Sequence, residues 1–242
     1  MKFTPIYYVC IACPTVEKTI EMVDKYVAHG ATAFQIDMPS KNPFAETEFV
    51  KGMMKDSLSA EPDYSHYMDG FRKIREHQPE LELHIVVYDD VIDSIGAKEF
   101  CDFVQEVHAA SILVPEITDE HREYAEKRGI QVFRMTTHIM DDESIDFCAQ
   151  LPEGSYIGLR NKKPGEVDRP GYETWEKKYA LMRERGVKGD IYSIFGIKSG
   201  AELARIKETG ARGAIIGNVL MHLWDDEEAL WKLLAEFQAL AE

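Results

Sequence analysis

Residues 190–219 read DIYSIFGIKSGAELARIKETGARGAIIGNV, and this one unit decides the fold. A short β-rich run, Asp190–Ile194, precedes an amphipathic helical run, Gly200–Thr209. Gly210 supplies the left-handed backbone that closes a helix, and a second apolar run, Gly213–Ile216, begins almost at once. Strand, helix, glycine and strand in that order demand parallel strands joined by right-handed crossovers.

Working outward, the same alternation recurs eight times. Further strands are expected at Ile6–Ile11, Ala33–Asp37, Leu83–Tyr88, Ser111–Val114, Gln131–Arg134 and Ser155–Leu159. Helices are expected near Val16–His29, Phe49–Lys55 with Tyr67–His77, Ala97–His108, Asp119–Arg128, Glu143–Gln150, Tyr172–Arg185 and Val219–Leu240. Gly30, Gly129 and Gly186 are further helix stops. Eight units in 242 residues favour an α/β fold of the (β/α)8 TIM barrel type. A doubly wound sheet is the alternative that periodicity leaves open. No linker or low-complexity tract divides the chain, so residues 1–242 are expected to form a single domain.

Hydrophobic residues make up 45% of the chain, and the net charge is −15. Such a charge repels phosphodiester backbones and anionic membranes, which argues against nucleic-acid or membrane partners. No 18-residue apolar stretch exists, and Met1-Lys2-Phe3-Thr4-Pro5 lacks a signal-peptide profile. Cys10, Cys13, Cys101 and Cys148 suggest no disulfide framework, so a reduced, cytoplasmic location is expected. Cys10 and Cys13 have C-x2-C spacing, but i and i+3 on a strand point to opposite faces, and metal binding needs more ligands. No metal and no cofactor are expected.

In such barrels the reactive groups sit on the loops that follow the strands. Ile194-Phe195-Gly196-Ile197-Lys198-Ser199 and Ile216-Gly217-Asn218-Val219 place a glycine at each of the last two strand-to-helix turns. There, backbone N–H groups approach an oxyanion without Cβ interference, and a helix N-terminus adds positive potential. A bound phosphate or a plain tight turn would each explain them; two at matching places favour phosphate. Gly165 follows Lys162-Lys163-Pro164 in the sixth loop, where the lysines either reach an anion or are solvated.

With these segments in order, the chain resembles the tryptophan synthase alpha subunit family over nearly its whole length. Met38-Pro39-Ser40-Lys41-Asn42-Pro43-Phe44-Ala45-Glu46 resembles that family's V-P-F-S-D-P-L-A-D loop. Ser111-Ile112-Leu113-Val114-Pro115-Glu116 is similar to its fourth strand, Phe195-Gly196-Ile197 to its G-F-G-I-S, and Ile216-Gly217-Asn218 to its V-G-S. The resemblance implies a (β/α)8 lyase that cleaves indole-3-glycerol phosphate by a retro-aldol step. It also implies phosphate at Gly165, Gly196, Gly217 and Asn218, with Phe195 beside them, a short helix near Glu46, and a mobile sixth loop over about Arg160–Pro170.

The departures bear on the chemistry. The family's catalytic Glu and Asp correspond to Gln35 and Glu46, and an amide does not exchange protons in acid–base catalysis. Asp37 stands where the family has glycine, Glu116 replaces its Asp, and Asp89 and Asp90 crowd the end of the third strand. Arg134 occupies an apolar pocket position and is expected to point inward; Tyr88 and Tyr156 match aromatic pocket positions. Polar groups in such a pocket suit a polyhydroxylated substrate better than an indole ring.

Strand alternation puts Gln35 and Asp37 on one face, so Asp37 is a candidate base and, with Glu46, one of an acid–base pair. Asp37 capping the next loop is the alternative. Glu116 either handles a substrate hydroxyl or caps the helix beginning at Thr118-Asp119. Arg134 either pairs with Glu116 or binds substrate; Arg160 acts in loop closure, on the phosphate side, or in a structural ion pair. His138 is an acid–base candidate or a solvent-facing loop residue. Leu220, Leu223, Trp231, Leu234, Phe237 and Leu240 form a core-facing stripe or a partner surface.

The reading is therefore a lyase acting on a small polar phosphorylated metabolite, as a possible homo-oligomer or with a beta-subunit-like partner. An authentic tryptophan synthase alpha subunit, a sugar-phosphate isomerase or epimerase, and a non-catalytic phospho-ligand module are the rivals.

Overall fold

A computed structural model describes residues 3–162 and 165–241. In chain order its elements are β1 Thr4–Cys10, α1 Val16–Ala28, β2 Ala33–Asp37, α2 Glu48–Ala60, α3 Tyr64–His77 and β3 Glu82–Val86. There follow α4 Asp89–Ile95, α5 Ala97–Glu106, β4 Ser111–Leu113, α6 Asp119–Lys127, β5 Arg134–Met135 and α7 Asp142–Ala149. The chain closes with β6 Tyr156–Arg160, α8 Trp175–Glu184, β7 Asp190–Ile194, α9 Gly200–Glu208, β8 Gly213–Ile216 and α10 Glu227–Gln238. The strand order is β4-β3-β2-β1-β8-β7-β6-β5, with parallel registers and a helix after every strand. This is the (β/α)8 fold. A parallel bridge from Ile112 to Val132 carries pairing past β4 towards the segment entering β5.

The chain forms two compact units. In residues 8–132, β2, β3 and β4 pair with Gln35 opposite His84 and His84 opposite Ser111. Phe34 packs its ring on Tyr26 of α1, with centroids 5.8 Å apart, so Gln35 and Asp37 occupy the face turned away from that helix.

In the unit of residues 1–7 and 133–242, Thr4–Tyr7 pairs with Gly213–Ile216. Glycine is required at Gly213 because a Cβ there would strike the Thr4 carbonyl oxygen and the Tyr192 ring. Phe133, Tyr156 and Tyr192 form an aromatic cluster with centroids 5.6–5.7 Å apart.

Three expected strands coincide with the observed β2, β7 and β8. The third strand stops at Val86, short of the expected Tyr88, and helix α4, which was not among the expected elements, follows it: Asp89 and Asp90 sit in its first turn, where negative charge suits the helix dipole, and Gly96 at φ 95° ends it. β5 shrinks to two residues. The last expected helix is broken into a 3-10 turn at Met221–Leu223 and α10, whose N-cap Asp226 accepts from the Ala229 N–H at 3.1 Å. Leu220, Leu230, Leu234 and Phe237 are core, whereas Leu223, Trp231 and Leu240 are half-buried. No helix among the described residues is long and apolar enough to cross a membrane.

Candidate functional site

Asp37, the last residue of β2, is fully buried within the unit of residues 8–132. The Tyr8 hydroxyl on β1 donates to its Oδ2 at 2.8 Å, while Oδ1 has no partner among the described residues. Glu46, half-buried in the loop after β2, accepts the Tyr88 hydroxyl on Oε1 at 3.3 Å. Phe44 covers the Tyr88 ring edge-on, with centroids 5.4 Å apart. Gln35 shares the Asp37 face, is 4% exposed, and leaves Nε2 without a partner among the described residues.

Burial first, and the Glu46 charge second, push the Asp37 carboxyl well above the usual range; the Tyr8 hydrogen bond opposes this in part. Burial, then the Asp37 and Glu46 charges, raise both the Tyr8 and Tyr88 phenols, so both remain donors. Asp37 thus keeps a proton that an exposed aspartate would have released. One carboxyl that holds its proton beside another carboxylate is the arrangement that divides acid and base roles.

Asp90 was expected to line the pocket; it clamps the loop instead. Its Oδ1 accepts Ser40 Oγ at 2.8 Å and its Oδ2 accepts the Lys41 N–H at 3.0 Å, fixing the segment that carries Glu46. The reason is that residue 90 lies in the first turn of α4 rather than on a strand. Glu116 is exposed at φ 54°, and the cap of α6 that it was a candidate for is Thr118, which accepts from the His121 N–H at 3.4 Å. Asp89 accepts the Thr118 N–H at 2.9 Å and pairs with His121 Nδ1 at 2.7 Å, a role the sequence reading missed. Cys10 and Cys13 do not diverge: β1 stops at Cys10, Ala12 turns at φ 62°, and the two thiols come into hydrogen-bonding contact. Among the described residues no group of three His, Cys, Asp or Glu side chains is arranged to hold a metal.

The candidate anion loops lie in the other unit. Phe195 and Gly196 adopt φ 70° and 79°, and Gly196 is exposed. A Cβ on Gly196 would stand 3.0 Å from Asn161 Nδ2, whereas one on Gly217 would meet nothing within 4 Å. Gly217 and Asn218 lead into the short 3-10 turn, so no long helix begins there to add its dipole; α9 does begin after the Phe195 loop, capped by Ser199. Gly165, at φ 90°, likewise has open space beside it.

Arg160, the last residue of β6, stacks its guanidinium 5.7 Å from the Phe195 ring centroid. It also donates to Glu166 Oε1 at 2.7 Å and contacts His138 Nδ1 at 2.8 Å, so the expected ion pair and the position beside the Phe195 loop coexist. Lys162 is committed to Asp168 at 2.9 Å, and buried Lys178 binds the same carboxylate at 2.7 Å. Lys163 lies outside the described residues.

Two pocket expectations are corrected. Arg134 does not point inward: its guanidinium lies 5.3 Å from the Phe147 ring centroid, on α7, while neighbouring Phe133 and Met135 take the other face. Tyr156 is the first residue of β6, the end away from the strand-following loops, and belongs to the aromatic core cluster. Tyr8 was missed. Its only sequence signal was strand alternation with Cys10, in a run that reads as plain core.

The family model described as tryptophan synthase alpha chain matches residues 2–241. The tryptophan synthase alpha chain of Vibrio cholerae is 25% identical over 224 residues, 89% of this chain and 82% of its own. That of Shewanella oneidensis is 24% identical over 239 residues, 95% of this chain and 85% of its own. Among solved structures, a protein of Aquifex aeolicus superposes with TM-score 0.83 at 19% identity, covering 100% of this chain and 94% of its own. The tryptophan synthase alpha subunit of Legionella pneumophila gives 0.80 at 19% identity, covering 98% and 92%. At these identities the solved structures bear on the fold alone.

Proposed function

Because the chain belongs to the tryptophan synthase alpha chain family, a family of lyase-type (β/α)8 barrels, we propose that it breaks or forms a C–C bond in a small polar phosphorylated metabolite by acid–base chemistry. The reading rests on one observation above the rest: Asp37 is buried, hydrogen-bonded to Tyr8 and close to Glu46, an environment that raises its pKa. In the cleavage direction Glu46 takes the proton of a substrate hydroxyl, the C–C bond electrons move to an acceptor on the other fragment, and Asp37 protonates that fragment. Tyr8 and Tyr88 position the two carboxyls. Phe195, Gly196, Gly217, Asn218 and Gly165 bind the phosphate, with Arg160 beside Phe195.

The test is turnover of a panel of phosphorylated hydroxy-carbonyl compounds by the purified protein. Asp37→Asn and Glu46→Gln should each lower kcat by about 10²- to 10⁴-fold. Undiminished turnover in both variants would sink the assignment.

A second reading is supported by the family match across residues 2–241: an authentic alpha subunit acting on indole-3-glycerol phosphate with a beta-subunit partner. It requires indole release from that substrate in the presence of a beta subunit, and a gain on restoring Gln35→Glu.

A further inference from the structure

Two buried polar atoms on one face of β2 have no partner among the described residues: Gln35 Nε2 and Asp37 Oδ1. The residues are two apart on the strand, about 7 Å between Cα atoms. A buried polar group left unpaired is costly, so two together call for ligand atoms that complete them. The chemistry is directional. Gln35 Nε2 can only donate. Tyr8 donates into Asp37 Oδ2, so the carboxyl proton sits on Oδ1; the Asp37 carboxyl is in hydrogen-bonding contact with Glu46, and that proton is the one an entering acceptor oxygen would take as its hydrogen bond. Two donors on one face suit an acceptor oxygen; an indole N–H, itself a donor, satisfies neither.

We propose that Gln35 and Asp37 receive the carbonyl oxygen of a phosphorylated β-hydroxy ketone or aldehyde and hold it as it becomes an enolate. The inference rests on the lyase reading and specifies its electron acceptor. Glu46 removes the β-hydroxyl proton, and the O–H electron pair becomes the new C=O π bond. The Cα–Cβ pair shifts to form Cα=C, and the carbonyl π pair moves onto oxygen between the Gln35 N–H and the Asp37 O–H. Asp37 then delivers its proton to Cα as the C=O re-forms, and the proton on Glu46 passes to Asp37 to restore the pair, giving an aldehyde or ketone and a second carbonyl compound with no redox change. An amide at position 35 suits this role. A third carboxylate near Asp37 and Glu46 would repel the enolate, whereas a neutral donor stabilises it.

Calorimetric affinities for phosphoglycolohydroxamate, a planar enediolate mimic, and glycerol 3-phosphate, a saturated phosphate of similar size, test the idea. The protein should bind the hydroxamate at least about tenfold more tightly. Gln35→Glu, which exchanges the donor for an acceptor, and Gln35→Met, which removes both, should bring the ratio to within about threefold of unity. Thermal melting of each variant checks its folding. A ratio near one for the unaltered protein, or one unchanged in a folded variant, overturns the proposal and leaves the phosphate reading standing. If neither compound binds the unaltered protein, the phosphate reading fails and this inference with it.

Discussion

Replacing Asp37 by Asn should stabilise the protein at neutral pH while removing its proton donor. Asp37 is fully buried, and burial followed by the Glu46 charge lifts its pKa well above the usual range. In the unfolded chain the same carboxyl titrates near about 3.9. Between those two values the native state holds a proton that the unfolded state has lost. Unfolding free energy therefore falls by about 1.4 kcal/mol per pH unit as pH rises through that window. The contribution is complete below the unfolded pKa and is lost as pH passes the folded one. Asparagine has no such proton, and its side-chain oxygen still accepts the Tyr8 hydroxyl, so packing and hydrogen bonding are retained. The stability gap between Asn variant and parent should thus widen by about 1.4 kcal/mol per unit. Urea unfolding at about pH 5, 6 and 7 measures it. Parallel stability curves, or a variant that loses ground as pH rises, would refute the assignment of a retained proton to Asp37.

Tyr8→Phe removes a hydrogen bond that lowers the Asp37 pKa, so the alkaline limb of the kcat profile should move to higher pH. Lys178→Met leaves Asp168 with exposed Lys162 alone and should cost about 3–5 kcal/mol in urea unfolding, because one partner of a buried ion pair is lost. Burial opposes ionisation of Asp168, but Lys178 and Lys162 outweigh it and hold its pKa down; this stabilisation is present above the unfolded pKa and lost as pH falls through the folded one, so the cost of Lys178→Met should shrink in acid. Gly217→Asp should abolish the thermal shift given by phosphorylated ligands while leaving the ligand-free melting temperature nearly unchanged, since a Cβ there meets nothing within 4 Å.

The strand–helix alternation, the glycine stops and the (β/α)8 fold were legible in the chain because apolar periodicity and turn chemistry are local properties. So were the placing of Gln35 and Asp37 on one strand face and the nearness of Glu46 to Asp37. Element ends were less legible: β3 stops at Val86 rather than Tyr88, the short α4 after it was not expected, and its Asp89-Asp90 start looked like pocket lining.

Side-chain destinations divided the same way. That Asp37 and Gln35 share a face followed from sequence alone, since a strand alternates with period two. That Arg134 turns to Phe147, that Asp90 spends its carboxylate on Ser40 and Lys41, and that Tyr8 reaches Asp37 from 29 residues away depend on which elements pack together. The sequence supplied the carboxyls; tertiary packing decided which of them keeps its proton, because desolvation and neighbouring charge exist only once distant segments meet.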